Sequence, residues 1–292
     1  MNDRATARIP MSDPHKSQQE TGTPGVWDDS RSHNWIVLQD ALERMLGPIG
    51  DAAIKALAPR QGETFLDVGC GCGRTSLALA RAAGPDGSVR GADLSPSMLA
   101  AGRAEASAER LGNVHFIEAN AQTHDFGPAR FDGLFSRFGV MFFDDPAAAF
   151  SNLAKTLKPG GRLAFACWRD RREVEWFEMP IRVASRHLPA PDLPGQGPGA
   201  FSLARPERIH FVLTAAGFSD IEATPLDLRT GGGDIDEVLS ILKIGFVGEH
   251  IRQFPDRAEA AWEAIRRELA DYATPDGVFI GTGTWIVTAR RA

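Results

Sequence analysis

Only three cysteines and one tyrosine occur among 292 residues. Three irregularly spaced cysteines exclude a disulfide framework and suit a reducing compartment, so a cytoplasmic location is expected. Cys70 and Cys72 lie close together, but no second pair with metal-ligand spacing follows them. They read as small side chains filling a glycine-rich turn, and no metal is expected. Also missing is any run of about 18 apolar residues, so no membrane span is predicted. Nor is there an excess of base: Lys and Arg number 32 against 38 Asp and Glu, a net charge of -6. A nucleic-acid partner, which demands a basic surface, is therefore not expected. The one basic cluster, Arg169, Arg171 and Arg172, is interleaved with Asp170, Glu173 and Glu175 and reads as a solvated turn. The first 25 residues lack the apolar core of a secretion signal, and their acidic residues do not suit a transit peptide. Residues 1–30 read as a disordered tail, with Met11 a second candidate start.

The remainder, 43% hydrophobic and 24% charged over the whole chain, suits one globular unit over 31–292 with its core at 60–168. A helical pattern spans Trp35 to Ala58, and Gly47-Pro48 predicts a break into two helices. Strands and helices then alternate. Strands are predicted at Thr64–Val68, Ser88–Asp93, Val114–Glu118, Phe131–Arg137 and Gly161–Cys167. Helices are predicted at Thr75–Ala83, from Pro96 to about Leu111 behind the cap Ser95, and at Asp145–Leu157. Alternation of this kind implies an open α/β sheet of parallel strands, with ligands beyond their carboxyl ends. Beyond Trp168 the pattern changes. Helices are expected at Arg171–Leu188 with a kink at Pro180, at Pro206–Ala216, Asp234–Phe246 and Asp256–Tyr272. Strands are expected at Ser219–Leu228 and Val278–Arg290, with Gly231–Gly233 as a flexible joint.

Four places after successive strands carry chemistry. The loop Leu66-Asp67-Val68-Gly69-Cys70-Gly71-Cys72-Gly73 follows a buried strand and opens a helix. Gly69, Gly71 and Gly73 let the main chain approach a ligand, and the helix start offers free N–H groups to a carboxylate. Asp67 can accept from a ligand ammonium, directly or through water. Asp93, ending the next strand, suits a ribose diol, with Leu94 and Met98 packing on sugar and base. After the third strand, Asn120 and Ala121 offer a side-chain acceptor and a backbone N–H to an adenine. After the fourth, Ser136 to Phe143 supply an apolar, aromatic surface, and Arg137 can hold a carboxylate or a substrate anion. An amino-acid end, a positive sulfonium, a ribose and an adenine are the parts of S-adenosylmethionine, the expected cofactor.

The segment from Thr64 to Cys167 resembles the core of the class I methyltransferases, especially the bacterial group similar to the ubiquinone and menaquinone methyltransferases. The glycine loop, Asp93-Leu94-Ser95, Asn120-Ala121, Phe131-Asp132-Gly133-Leu134-Phe135 and Leu157-Lys158-Pro159-Gly160-Gly161 occur in family order. The resemblance implies a Rossmann-like sheet of seven mostly parallel strands with helices on both faces. Its last strand is antiparallel and inserted between the fifth and sixth, a place that Trp285–Arg290 fits. It also implies methyl transfer to a small-molecule acceptor, here expected to be aromatic or apolar. Helical lids over 171–200 and 234–273 are expected to cover that acceptor, with the helix around Trp35 closing over the cofactor. Many relatives carry Asp where this chain has Asn120, whose carbonyl can still accept from the adenine amino group.

Two other readings stay open. A nicotinamide-dependent oxidoreductase also places glycines after a strand, in the pattern G-x-G-x-x-G. Counting from Gly69 puts Arg74 at its last position, with Gly73 one residue early. A protein that binds S-adenosylmethionine without transferring its methyl group is the other. No general base is assigned: His33, His187, His210, His250 and Tyr272 are candidates without a motif to favour any of them.

Overall fold

Short apolar runs that end in Gly or Asp, each followed by an amphipathic stretch, build a sheet whose carboxyl ends gather along one edge. The computed structural model describes residues 29–191 and 197–292. The expected disordered tail lies outside them, except that Asp29 and Ser30 already belong to the first helix.

The strands are β1 (Thr64–Val68), β2 (Ser88–Asp93), β3 (Val114–Glu118), β4 (Phe131–Arg137), β5 (Leu157–Trp168), β6 (Phe218–Gly233), β7 (Ala273–Thr274) and β8 (Gly277–Arg291). They pair in the order β3-β2-β1-β4-β5-β8-β6, with β7 a short hairpin partner of β8. The strands β1 to β5 run parallel to one another, and β8 runs antiparallel between β5 and β6. Trp285 of β8 sits opposite both Cys167 and Pro225, so the inserted closing strand is where the resemblance put it. After β3 the chain returns to the other side of β1 to begin β4. The resulting switch in strand order opens a crevice beyond the ends of β1 and β4.

The helices are α1 (Asp29–Val37), α2 (Gln39–Leu57), α3 (Arg74–Ala83), α4 (Pro96–Ala108), α5 (Pro146–Thr156), α6 (Glu175–Ala184), α7 (Pro206–Ala215), α8 (Ile235–Ile244), α9 (Phe246–Arg252) and α10 (Pro255–Leu269). Two are started by side-chain caps in front of a proline at the first helical position: Ser95 Oγ accepts from Met98 N–H, and Asp145 Oδ1 from Ala148 N–H. Phe65, Leu66, Leu134, Phe135 and Phe165 are completely buried, as strands covered on both faces require. Among the described residues no helix is long and apolar enough to cross a membrane.

Three local expectations are corrected. The helix does not break at Gly47-Pro48; α2 runs through it, and the interruption falls at Leu38. Pro48 is exposed, while Met45, Leu46, Ile49, Gly50 and Ala53 form one buried stripe across it. A missing N–H on the solvent side is outweighed by continuous packing on the other. Gly231–Gly233 is not a joint but the end of β6, paired with Phe279 and Val278 through a bulge. Finally, the helix expected to end at Phe246 stops at Ile244, and Phe246 begins the separate α9.

Candidate cofactor and acceptor site

The loop between β1 and α3 is built by backbone bonds that only a tight left-handed path permits. Gly69, Gly71 and Gly73 have φ of 66, 55 and 84°. The N–H groups of Gly69 and Cys70 both donate to Ala92 O, at 2.8 and 3.1 Å, tying the loop to the end of β2. Ser136 Oγ donates to Val68 O at 2.8 Å and accepts from Gly139 N–H at 3.1 Å, so one hydroxyl joins the loop after β1 to the loop after β4.

Asp67 is completely buried beneath this loop. Its Oδ2 accepts from Thr75 Oγ1 and Ser76 Oγ, each at 2.7 Å, in the first turn of α3. Its Oδ1 has no protein partner. Asp67 is absent from the cavity wall, which the neighbouring Val68 and Gly69 form. Burial pushes its carboxyl up to about 6, against the pull of the Ser76 and Thr75 hydroxyls. A carboxyl raised in the folded state favours folding below its unfolded pKa, and that contribution is lost as pH rises through the folded value. Asp67→Asn, neutral at every pH, is therefore expected to remove a loss of stability on the order of 2–3 kcal/mol between pH 4 and 7. Urea unfolding of both proteins across that range checks it; parallel pH profiles would show that Asp67 does not titrate there.

Asp93 lies on the cavity wall at the end of β2. Its Oδ2 accepts from Gly71 N–H at 2.8 Å and its Oδ1 from Ser95 N–H at 2.9 Å. Each carboxylate oxygen has a second acceptor site, so the group that shapes the loop can still receive two hydroxyls. Leu94 is exposed on the same wall, and Met98 packs against the loop, its Cε 2.9 Å from where a Cβ on Gly71 would sit. Asn120 and Ala121 line the wall past β3. Asn120 Oδ1 accepts from Gln122 N–H at 3.0 Å, an Asx turn that leaves one lone pair of that oxygen.

Arg137 also reaches the wall, with an internal partner the sequence did not disclose. Its Nη1 and Nη2 donate to Glu43 Oε1 and Oε2 of α2, both at 2.9 Å, in a bidentate pair. Phe138 follows in a left-handed conformation, φ 65°, and stacks on Trp168 with ring centroids 4.2 Å apart. Trp168 meets Phe177 edge-on at 5.6 Å, and Phe177 meets Phe201 at 5.0 Å. The four rings form a ladder along one wall, starting where Gly139 abuts the glycine loop.

One cavity of about 1620 Å³ joins the glycine loop, Asp93, Asn120 and this ladder. A single ligand pocket usually measures roughly 300–1,000 Å³, so there is room for two molecules side by side. Helix α1 closes one side: Arg31 and Trp35 line the cavity, Ser95 Oγ donates to buried Ser32 Oγ at 2.8 Å, and Arg31 pairs with Glu249 of α9 at 2.6 Å. None of the candidate bases reaches the wall. His33, His187, His210 and Tyr272 lie elsewhere, and His250 bonds to Pro189 O at 2.8 Å through Nε2. Of the basic cluster read as a solvated turn, Arg172 is exposed, and Arg171 and Arg172 also line the cavity. Among the described residues no cluster of His, Cys, Asp and Glu suits a metal.

A mostly parallel sheet with an antiparallel closing strand, and a crevice at the strand-order switch floored by glycines and edged by a carboxylate, define a Rossmann-like α/β fold. Residues 65–161, about a third of the chain, match a family described as "Methyltransferase domain", and that segment is similar to the core of the class I methyltransferases. An O-methyltransferase of Aspergillus nomiae is 34% identical over 49% of this chain and 60% of its own length. Aklanonic acid methyltransferase of a Streptomyces species is 34% identical over 40% and 54%. The demethylmenaquinone methyltransferase of Shouchella clausii is 34% identical over 38% and 47%. The matched segment thus spans about half the length of these curated relatives. Among solved structures, the YcgJ protein of Bacillus subtilis superposes with a TM-score of 0.54 at 17% identity, covering 84% of this chain and 97% of that one. That likeness concerns the fold.

Proposed function

We propose that this protein transfers the methyl group of S-adenosylmethionine to a small aromatic or apolar acceptor lying on the Phe138–Trp168–Phe177–Phe201 ladder. The observation that carries the reading is the continuity of one cavity from the glycine loop to those four rings. Backbone N–H groups at the start of α3 suit the cofactor's carboxylate, Asp93 its ribose hydroxyls, and Asn120 with Ala121 its adenine. Asp67 and Arg137 act through the loop they support, the first by holding Thr75 and Ser76 and the second by fixing α2 through Glu43. Residues of 171–181, 198–200 and 241–249 cover the acceptor side. Relatives named as O-methyltransferases and as a demethylmenaquinone methyltransferase support a small-molecule acceptor.

Bound there, the cofactor supplies a methyl group on a positive sulfur, and the sulfur keeps the bonding electron pair when the methyl leaves. The protein contributes alignment and exclusion of water, which can account for much of the barrier lowering in such displacements. It offers little as a base. Among the described residues the cavity wall has no His, Lys or Tyr. Glu43 and Glu249 are ion-paired, Asp93 and Asp170 already accept N–H bonds, and the remaining wall carboxylates, Asp144 and Glu207, are exposed to water. Burial raises the thiols of Cys70 and Cys72, the latter to about 11, which keeps both protonated. The acceptor atom is therefore one that ionises readily by itself, as a carboxyl, an enol or an acidic phenol does.

The test is transfer of labelled methyl to a panel of aromatic acids, phenols and enols, with mass spectrometry of products, beside calorimetric titration of S-adenosylhomocysteine and NADH. Binding of S-adenosylhomocysteine with a methylated product is the expected result. Binding without transfer to any acceptor would support the non-catalytic reading. Tight NADH binding without S-adenosylhomocysteine binding would support the oxidoreductase.

A further inference from the structure

Seven arginines line the cavity, and four of them are already neutralised. Arg31 pairs with Glu249, Arg74 with Asp40 and Glu105, Arg137 with Glu43 and Arg171 with Glu178. The other three, Arg172, Arg205 and Arg208, are exposed and have no carboxylate partner among the described residues. They are placed by the same two segments that carry the outer rings of the ladder. Arg172 follows Trp168 by four residues, in the 3-10 turn whose first N–H bond goes to Asp170 Oδ1. Arg205 follows Phe201 by four and stands at the start of α7, with Arg208 one turn on and its guanidinium over the Phe211 ring at 5.8 Å. Pro206 occupies the first position of α7, and the helix N-terminus adds its own positive end to the same place.

We propose that the acceptor is an amphipathic anion, its flat apolar body on the ladder and a carboxylate-type oxyanion held by Arg172, Arg205 and Arg208. This rests on the reading of the ladder as the acceptor wall. Four of the wall's arginines are committed to ion pairs, whereas these three guanidinium groups are bound to no carboxylate among the described residues and keep their forks open to a ligand. Asp144, Asp170 and Glu207 share the wall; Asp170 is engaged by the Arg172 backbone, and Glu207 lies between the two arginines of α7 in sequence. A guanidinium fork binds an oxyanion bidentately, which fixes orientation as well as affinity. An acceptor anchored at both ends, by ring stacking and by its anion, would present one defined atom to the methyl group.

The probes for the test are 8-anilino-1-naphthalenesulfonate and N-phenyl-1-naphthylamine, which share one ring system and differ by the anionic group. Fluorescence titration of the wild-type protein, with S-adenosylhomocysteine present, is expected to show the anionic probe bound about tenfold more tightly than the neutral one. In the triple variant Arg172→Gln, Arg205→Gln, Arg208→Gln that ratio falls to near one, and in the corresponding triple Lys variant most of it remains. These side chains are exposed, so circular dichroism should show all three proteins folded alike. A wild-type ratio near one, or a ratio unchanged by removing the three charges, overturns the proposal. Calorimetry of S-adenosylhomocysteine alone reports separately on the cofactor reading, since none of the three arginines belongs to the loop.

Discussion

Gly69→Ala is expected to abolish measurable S-adenosylhomocysteine binding and to lower the thermal unfolding midpoint by several degrees. At φ +66° an alanine is strained, and its Cβ would lie 2.7 Å from Gly139 Cα, a backbone atom with no rotamer to change. Left-handed placement alone costs about 1–2 kcal/mol for an L-residue. Retreat of either loop is blocked. Gly139 is held through its N–H by Ser136 Oγ, which at the same time donates to Val68 O, the residue before Gly69. On the other side Gly69 N–H and Cys70 N–H share the Ala92 carbonyl. The chain can therefore relieve the contact only by moving the loop that would meet the cofactor's amino-acid end. Gly62→Ala separates the two effects: it has φ +81° but nothing within 4 Å of the added Cβ. That control should lose about 1 kcal/mol of stability and keep its affinity. Calorimetric titration beside thermal unfolding decides the matter, and a Gly69→Ala protein with undiminished affinity would remove the loop from the binding site.

The strands β1 to β4 have the boundaries their sequence predicts, because each is a short run closed by a charged residue, glycine or a turn, and β1, β2 and β4 are covered on both faces. The residues after those strands could be named for the same reason: a parallel sheet presents every carboxyl end at one edge. What could not be read is whatever depends on distant partners. Glu43 and Arg137 are 94 residues apart, and no pattern around either announces a bidentate pair. The ladder draws on β4, β5, α6 and the segment before α7, so Phe177 and Phe201 are unremarkable until the chain folds. Pro48 misled because a local rule about hydrogen bonding was opposed by a buried stripe extending on both sides of it. The histidines misled differently. Residue type suggested a base, but position keeps His33, His187, His210 and His250 off the cavity wall, and the wall's chemistry is that of carboxylates and arginines, some of each already engaged.

Asp93→Ala should reduce affinity for S-adenosylhomocysteine at least about a hundredfold, the sum of two losses of roughly 1.5–3 kcal/mol each for hydrogen bonds to a charged group. The first loss is internal. Gly71 N–H and Ser95 N–H both depend on this carboxylate, and without it the glycine loop loses its tie to the residue that caps α4. The second is the proposed contact with the ribose diol through the remaining lone pairs. Asp93→Asn keeps one acceptor but turns an NH2 toward an N–H, so its affinity should fall between the two. Loop damage alone would weaken every nucleoside ligand equally, and the ribose contact would not. Titrating S-adenosylhomocysteine and its 2′-deoxyribose analogue against wild type and Asp93→Ala makes the distinction. The wild type is expected to prefer the hydroxylated ligand by about tenfold, and the variant to show no preference. If Asp93→Ala still discriminates, the carboxylate only shapes the loop, and the ribose must be held by another group on the wall. Burial, the largest influence on Asp93, raises its carboxyl above the usual range. Diol binding to the ionised form should draw it back down, so wild-type affinity is expected to weaken on acidification more steeply than that of the Asn variant.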